Sequence, residues 1–145
     1  MVATNAIDAY QKTNLATADP LSLVVLCYER AIRDLKEARS YHEHRMMDHV
    51  YEKIHHAQDI VTELHLALDF ERGGEIAFNL YRLYGFILRE LIGINSQKDV
   101  QTYEHLISIL SELKEAWTEI RRRHTREAVS LQRDQRGEAH RIASA

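Results

Sequence analysis

Residues 47–68, Met47-Asp48-His49-Val50-Tyr51-Glu52-Lys53-Ile54-His55-His56-Ala57-Gln58-Asp59-Ile60-Val61-Thr62-Glu63-Leu64-His65-Leu66-Ala67-Leu68, decide the fold. Met47, Val50, Ile54, Ala57, Val61, Leu64 and Leu68 follow one another at alternating steps of three and four, one apolar stripe on an amphipathic helix. Working outward, Gly73-Gly74 is the strongest break in the middle of the chain. Upstream, Asp19-Pro20 reads as an N-cap with proline at the first helical position. Leu21, Val24, Tyr28, Ala31, Leu35 and Ala38 then recur at helical spacing, so a first helix is expected over about 19–41. Ser40–His44 is its connection to the 47–68 helix. Downstream, Glu75 suits a first turn, where a carboxylate meets the positive end of the helix dipole. A third helix runs from there to about Ile94, and Asn95–Gln97 connects it to a fourth, N-capped by Asp99. The fourth carries Tyr103, Leu106, Leu110, Leu113 and Trp117, and its apolar period stops at Ile120.

Short connections between helices of similar length make antiparallel neighbours. The expected fold is all-α, an antiparallel up-down four-helix bundle over residues 19–120. It carries an N-terminal arm over 1–18 and a polar Arg-rich tail over 121–145, frayed helix or disordered. Composition agrees: 45% apolar and 28% charged residues suit a water-facing core-builder, and five Gly with one Pro are too few for the turns of a β-rich chain.

No run approaches the roughly 20 apolar residues that span a bilayer, and Met1–Lys12 lacks the basic-then-apolar order of a signal peptide. A cytosolic protein without membrane insertion is expected. The lone Cys27 sits in Leu23-Val24-Val25-Leu26-Cys27-Tyr28 and reads as a small buried hydrophobe. Charge is uneven. Residues 1–120 hold 12 basic and 19 acidic side chains, net −7, while 121–145 hold seven Arg against three acids, net +4. An acidic body argues against nucleic acid as the main partner.

The third helix is more apolar than a bundle needs, since about three positions in seven suffice. Ile76, Leu80, Leu83, Ile87, Leu91 and Ile94 form one face; Ala77, Tyr81, Tyr84, Leu88 and Ile92 form a second, with Phe78 and Phe86 outside both. Ile107, Ile109 and Ile120 similarly flank the main stripe of the fourth helix. Scattered exposed apolar groups are ordinary; a continuous surplus points instead to a groove that takes amphipathic helices from a partner. Ile7 and Tyr10 are apolar anchors in the small, polar arm and suit a cap over such a groove.

Histidine is abundant, with nine in the chain. His49, Glu52 and His56 share a helix face, and Glu52-Lys53-Ile54-His55 matches the Glu-x-x-His unit of di-iron bundles. Such a site needs that unit twice, and the chain has it once, so no metal, cofactor or catalytic residue is expected and these histidines read as solvated. Phosphate loops, nucleophile elbows and paired-cysteine motifs are absent from the sequence. Arg121-Arg122-Arg123-His124-Thr125-Arg126 could serve RNA or an acidic surface, or simply complement a helix dipole. A metal-binding bundle and a nucleic-acid adaptor working through the tail are the alternatives to a protein-binding bundle.

Gly73-Gly74-Glu75-Ile76-Ala77-Phe78-Asn79-Leu80-Tyr81-Arg82-Leu83-Tyr84 is very similar to the GGEIAxNLxxLY signature of the FliS flagellar chaperones. Three further stretches agree in order and spacing over about residues 7–120. They are Ala9-Tyr10-Gln11, Asp19-Pro20 through Cys27-Tyr28, and Leu110-Ser111-Glu112-Leu113-Lys114-Glu115-Ala116-Trp117. Glu29-Arg30 stands where the family often has Asp-Gly, and the tail after Ile120 has no family counterpart. The resemblance implies a non-enzymatic export chaperone that binds the C-terminal segment of flagellin, prevents premature filament assembly and delivers flagellin to the export gate. For some members it implies an anti-sigma factor as a further partner. It implies that Ile7 and Tyr10 form a mobile cap, with Phe78, Tyr81, Tyr84, Leu88 and Ile107 in the groove. Pro20, Gly73, Gly74, Glu75, Asn79 and Trp117 would carry structural motifs, and the free chain would be a monomer or a weak homodimer.

Overall fold

In the computed structural model, residues 19–97 and 100–144 are described. The expected arm with Ile7 and Tyr10, and the Asp99 cap, lie outside the described residues. Among the described residues four helices follow one another: α1 (Pro20–Glu43), α2 (Met47–Leu66), α3 (Phe70–Ile92) and α4 (Gln101–Ser144). No strand occurs among the described residues. The chain is an all-α, four-helix bundle.

The start of α1 is the one its sequence demands. Asp19 is extended, its Oδ1 accepts from the Ser22 N–H at 2.7 Å, and Pro20 occupies the first turn, where its missing N–H costs nothing. On α2 the expected stripe is inside: Val50, Ile54, Ala57, Val61 and Leu64 are buried, and Met47 and Leu68 pack against the same core. Tyr28, Leu35, Ile87, Leu91, Tyr103, Leu106 and Leu110 complete it.

Two expectations need correcting. The chain reverses at residues 67–69, not at the glycine pair, because Asp69 caps α3: its Oδ1 accepts from the Glu71 and Arg72 N–H groups, each at 3.1 Å. Gly73-Gly74 is a kink inside α3. Gly74 adopts φ 50 and ψ −126, a region open in practice only to glycine. A Cβ on Gly73 would meet the Ala77 Cβ at 2.7 Å, so the kink also demands an absent side chain there. Glu75 follows the kink, exposed.

The second correction concerns the tail. Helix does not fray at Ile120 but continues to Ser144. Loss of the apolar period marked the end of packing, not of helix; Arg, Glu, Ala, Gln and Leu are all good helix formers.

Packing runs α3–α2–α1–α4, with α1 and α2 central. Polar ties join α1 to each of the other three helices. His42 Nδ1 and the Tyr103 hydroxyl, both buried, are hydrogen-bonded at 2.8 Å and join α1 to α4. Lys53 and Glu37 pair at 2.9 Å between α2 and α1. The Tyr28 and Tyr84 hydroxyls bond to each other and tie α1 to α3. Half-buried Trp117 packs on the same core.

Candidate protein-binding face

The core side of α3 is drawn from both faces read in its sequence. Ala77, Tyr84 and Ile87 are buried, as are Leu91 and, just past the helix, Ile94. Tyr84, grouped with the groove in sequence, is therefore a core residue at 2% exposure; burial and its Tyr28 partner hold its phenol protonated well above the ordinary range. Ile76 from the other face is 71% exposed, at the kink.

What remains outside is a second apolar line. Phe78 (55% exposed), Tyr81 (46%), half-buried Leu88 and Ile92 (74%) follow one another on α3, with Gly85 filling the gap in the spacing. The positions 78, 81, 85, 88 and 92 repeat at steps of three and four, the period of a helical stripe. The line begins in an aromatic cluster at the α2–α3 corner. Phe70 meets Phe78 edge-on at 5.7 Å and Tyr81 at 5.8 Å, and Tyr81 lies over the His65 ring of α2 at 4.4 Å. Leu66, next to His65 in the chain, is 75% exposed, and the buried His65 Nε2 has no hydrogen-bond partner among the described residues. Sequence reading placed Tyr81, Leu88 and Ile92 on one face and Phe78 beside it but missed Gly85, Leu66 and Phe70; Gly85 falls on the three-four step between Tyr81 and Leu88, whereas Leu66 and Phe70 lie across the α2–α3 corner and the Gly74 kink, where no helical period carries. Ile107 of α4 is half-buried against the core and does not join this line through any aromatic contact. Asn79 is exposed.

The histidines need one correction. His56, read as solvated, is half-buried, and its Nδ1–H donates to Asp34 Oδ2 at 2.5 Å. Asp34 sits between Ala31 and Ala38 on the buried side of α1, which its spacing could have disclosed. Burial raises its carboxyl above the ordinary value, and the His56 hydrogen bond pulls the other way. Among the described residues no three His, Cys, Asp or Glu side chains converge as a metal set would. No described helix is long and apolar enough to cross a membrane. Cys27 is buried, and desolvation first, then Glu63, pushes its thiol up to about 11.

A kinked glycine pair leading into an apolar-faced α3, on a bundle begun by a capped Asp-Pro, is matched by a family profile. The profile of the flagellar protein FliS family covers residues 3–124. The chain belongs to the FliS family. It is 32% identical over 121 residues to the flagellar secretion chaperone FliSB of Pseudomonas aeruginosa, covering 81% of this chain and 96% of that one. Over 125 residues it is 32% identical to the flagellar secretion chaperone FliS of Salmonella typhimurium, covering 83% and 93%. Vibrio cholerae FliS, likewise a flagellar secretion chaperone, is 30% identical over 119 residues, covering 79% and 88%. FliS proteins are chaperones and not enzymes, and the chain is a member of this flagellar secretion chaperone family.

Proposed function

We propose that the chain is a cytosolic flagellar export chaperone whose client is the C-terminal segment of flagellin, bound as amphipathic helices along the outer apolar line of α3. The observation that carries this reading is the exposure of Phe78, Tyr81 and Ile92 at helical spacing, with Leu88 beside them. A helix in a groove is read through anchors at such steps. Gly85, lacking a side chain in the middle of the line, lets a partner helix approach closely. Fully burying one such side chain stabilises by roughly 1.5–3 kcal/mol, so several anchors can exceed the cost of association.

Holding flagellin's terminal helices on this face would keep them from premature polymerisation until delivery to the export gate. The family resemblance assigns Ile7 and Tyr10 to a cap over the face in the absence of client. Ile107 would contribute from α4. An anti-sigma factor would be a second client of the same chemistry.

Isothermal titration calorimetry with intact flagellin and with flagellin lacking its C-terminal segment tests the reading. Binding is expected for the first and absent for the second. Because the contact is apolar, affinity should change little between low and moderate salt. Equal binding of the truncated flagellin, or a steep fall with salt, would refute it.

A further inference from the structure

Beyond Ile120, α4 projects for another 24 residues, about 36 Å at 1.5 Å per residue. Only residues 3–124 match the family profile, so most of this extension lies past the shared fold. Apart from Arg121 and Gly137, each of its residues through Ser144 is exposed. Its cations are seven Arg with no Lys.

Four of the seven Arg share one face, while Arg121, Arg123 and Arg141 lie about 100° to either side of its centre. At 100° per residue, Arg122, Arg126, Arg133, Arg136 and His140 fall within an arc of about 80°. Glu127, Asp134 and Glu138 fall within about 40°, centred about 140° away. A helix stabilised by itself in water intersperses acids and bases at i,i+4. At the base of the projection Glu119 holds Arg122 at 3.8 Å and Arg123 at 3.3 Å, and Arg123–Glu127 and Glu138–Arg141 share such spacings, but Arg126, Arg133 and Arg136 have no acid three or four positions away. Arg126, Arg133 and Arg136 make no ion pair with any described residue. Gly137 within this stretch costs about 1 kcal/mol relative to Ala.

We infer that the Arg122–Arg126–Arg133–Arg136 stripe is a docking surface for an acidic helix of a protein partner, one presenting carboxylates at i, i+4 and i+7. From Arg122 to His140 the stripe is about 27 Å long. Arginine forks engage carboxylates in pairs of hydrogen bonds, and Val129, in line with the stripe, supplies an apolar contact at its centre. Charge complementarity selects an anion, and two observations select a short acidic helix over nucleic acid. Residues 121–144 hold no Phe, Tyr or Trp on which the bases of a single strand could stack. Residues 1–120 carry net −7, which repels a long polyanion running past the bundle but not a helix confined to the stripe.

Fluorescence anisotropy on the full chain tests this with three labelled probes: a helical peptide of about 20 residues with Glu along one face, its Gln counterpart, and a short RNA duplex. The Glu peptide should bind at low salt and weaken as salt rises. The Gln peptide should bind roughly tenfold or more weakly, and the variant Arg126→Gln/Arg133→Gln/Arg136→Gln should lose a similar factor, as expected of three exposed charge pairs acting together. Circular dichroism should report unchanged helicity in that variant, and its flagellin binding should stay intact, which separates this surface from the α3 face. Equal binding of Glu and Gln peptides, unchanged binding by the variant, no binding by any probe, or tighter binding of the RNA duplex would each overturn the assignment.

Discussion

Gly73 and Gly74 should each resist substitution for a different reason, and the two reasons are separable. A Cβ at Gly74 meets no atom within 4 Å, so Gly74→Ala would introduce no clash. Its whole cost is the backbone, φ 50 with ψ −126, where a side chain is strained by roughly 1–3 kcal/mol. For a domain of this size about 1 kcal/mol corresponds to roughly 4 °C in Tm, so a fall of about 4–12 °C is expected. Gly73→Ala instead puts its Cβ 2.7 Å from the Ala77 Cβ, and Ala77 is buried, so neither atom can move aside cheaply. Overpacking of this sort costs about 1–3 kcal/mol. The discriminating variant is Ala77→Gly. Added to Gly73→Ala it removes the clashing atom and should recover part of the loss. Added to Gly74→Ala it should recover nothing and cost about 1 kcal/mol more, as glycine does within a helix. Thermal melts of the five proteins, followed at 222 nm, provide the comparison. A Gly74→Ala protein melting like the parent, or one rescued by Ala77→Gly, would refute the division into a conformational and a steric glycine.

Three other outcomes follow from the same structure. Tyr84→Phe removes one of the two hydrogen-bond partners of the buried Tyr28 hydroxyl, leaving Trp117, and should cost about 0.5–1.5 kcal/mol, whereas the double variant with Tyr28→Phe should cost less than the sum of the single losses in urea denaturation; additive losses would mean that the bond contributes nothing. Phe78→Ala and Ile92→Ser remove exposed side chains, so Tm should move little while flagellin affinity falls roughly tenfold or more; unchanged affinity in both would move the client off α3. Cys27, with its thiol near 11 instead of 9.0, should hold about 100-fold less thiolate than an ordinary cysteine at pH 8, so alkylation of the native protein should be slower by at least that factor. Because the folded value is raised, stability from the protonated thiol is intact below pH 9 and lost as pH rises through about 11; a Cys27→Ala protein should show less alkaline destabilisation, and an identical alkaline profile would contradict this.

Much of the molecule follows from the order of residues alone. The three-four stripe of residues 47–68 could only be a helix with one buried side, and Asp19-Pro20 could only begin one, because both signals depend on contacts within a turn or two of chain. The glycine signature carried the family for the same reason: it demands particular backbone geometry wherever it is folded. Local pattern could not say which residues of the two apolar faces of α3 would be inside, since each face offers large apolar side chains at helical spacing. The seat of α3 against α2, with Tyr84 bonded to Tyr28 of α1, resolved it, burying Tyr84 and leaving Phe78, Tyr81 and Ile92 outside. Nor could pattern separate a polar residue in water from one paired across helices, as Asp34 with His56 and His42 with Tyr103 are paired. Those partners lie 22 and 61 residues apart, and only the packing of α1 against α2 and α4 brings them within reach.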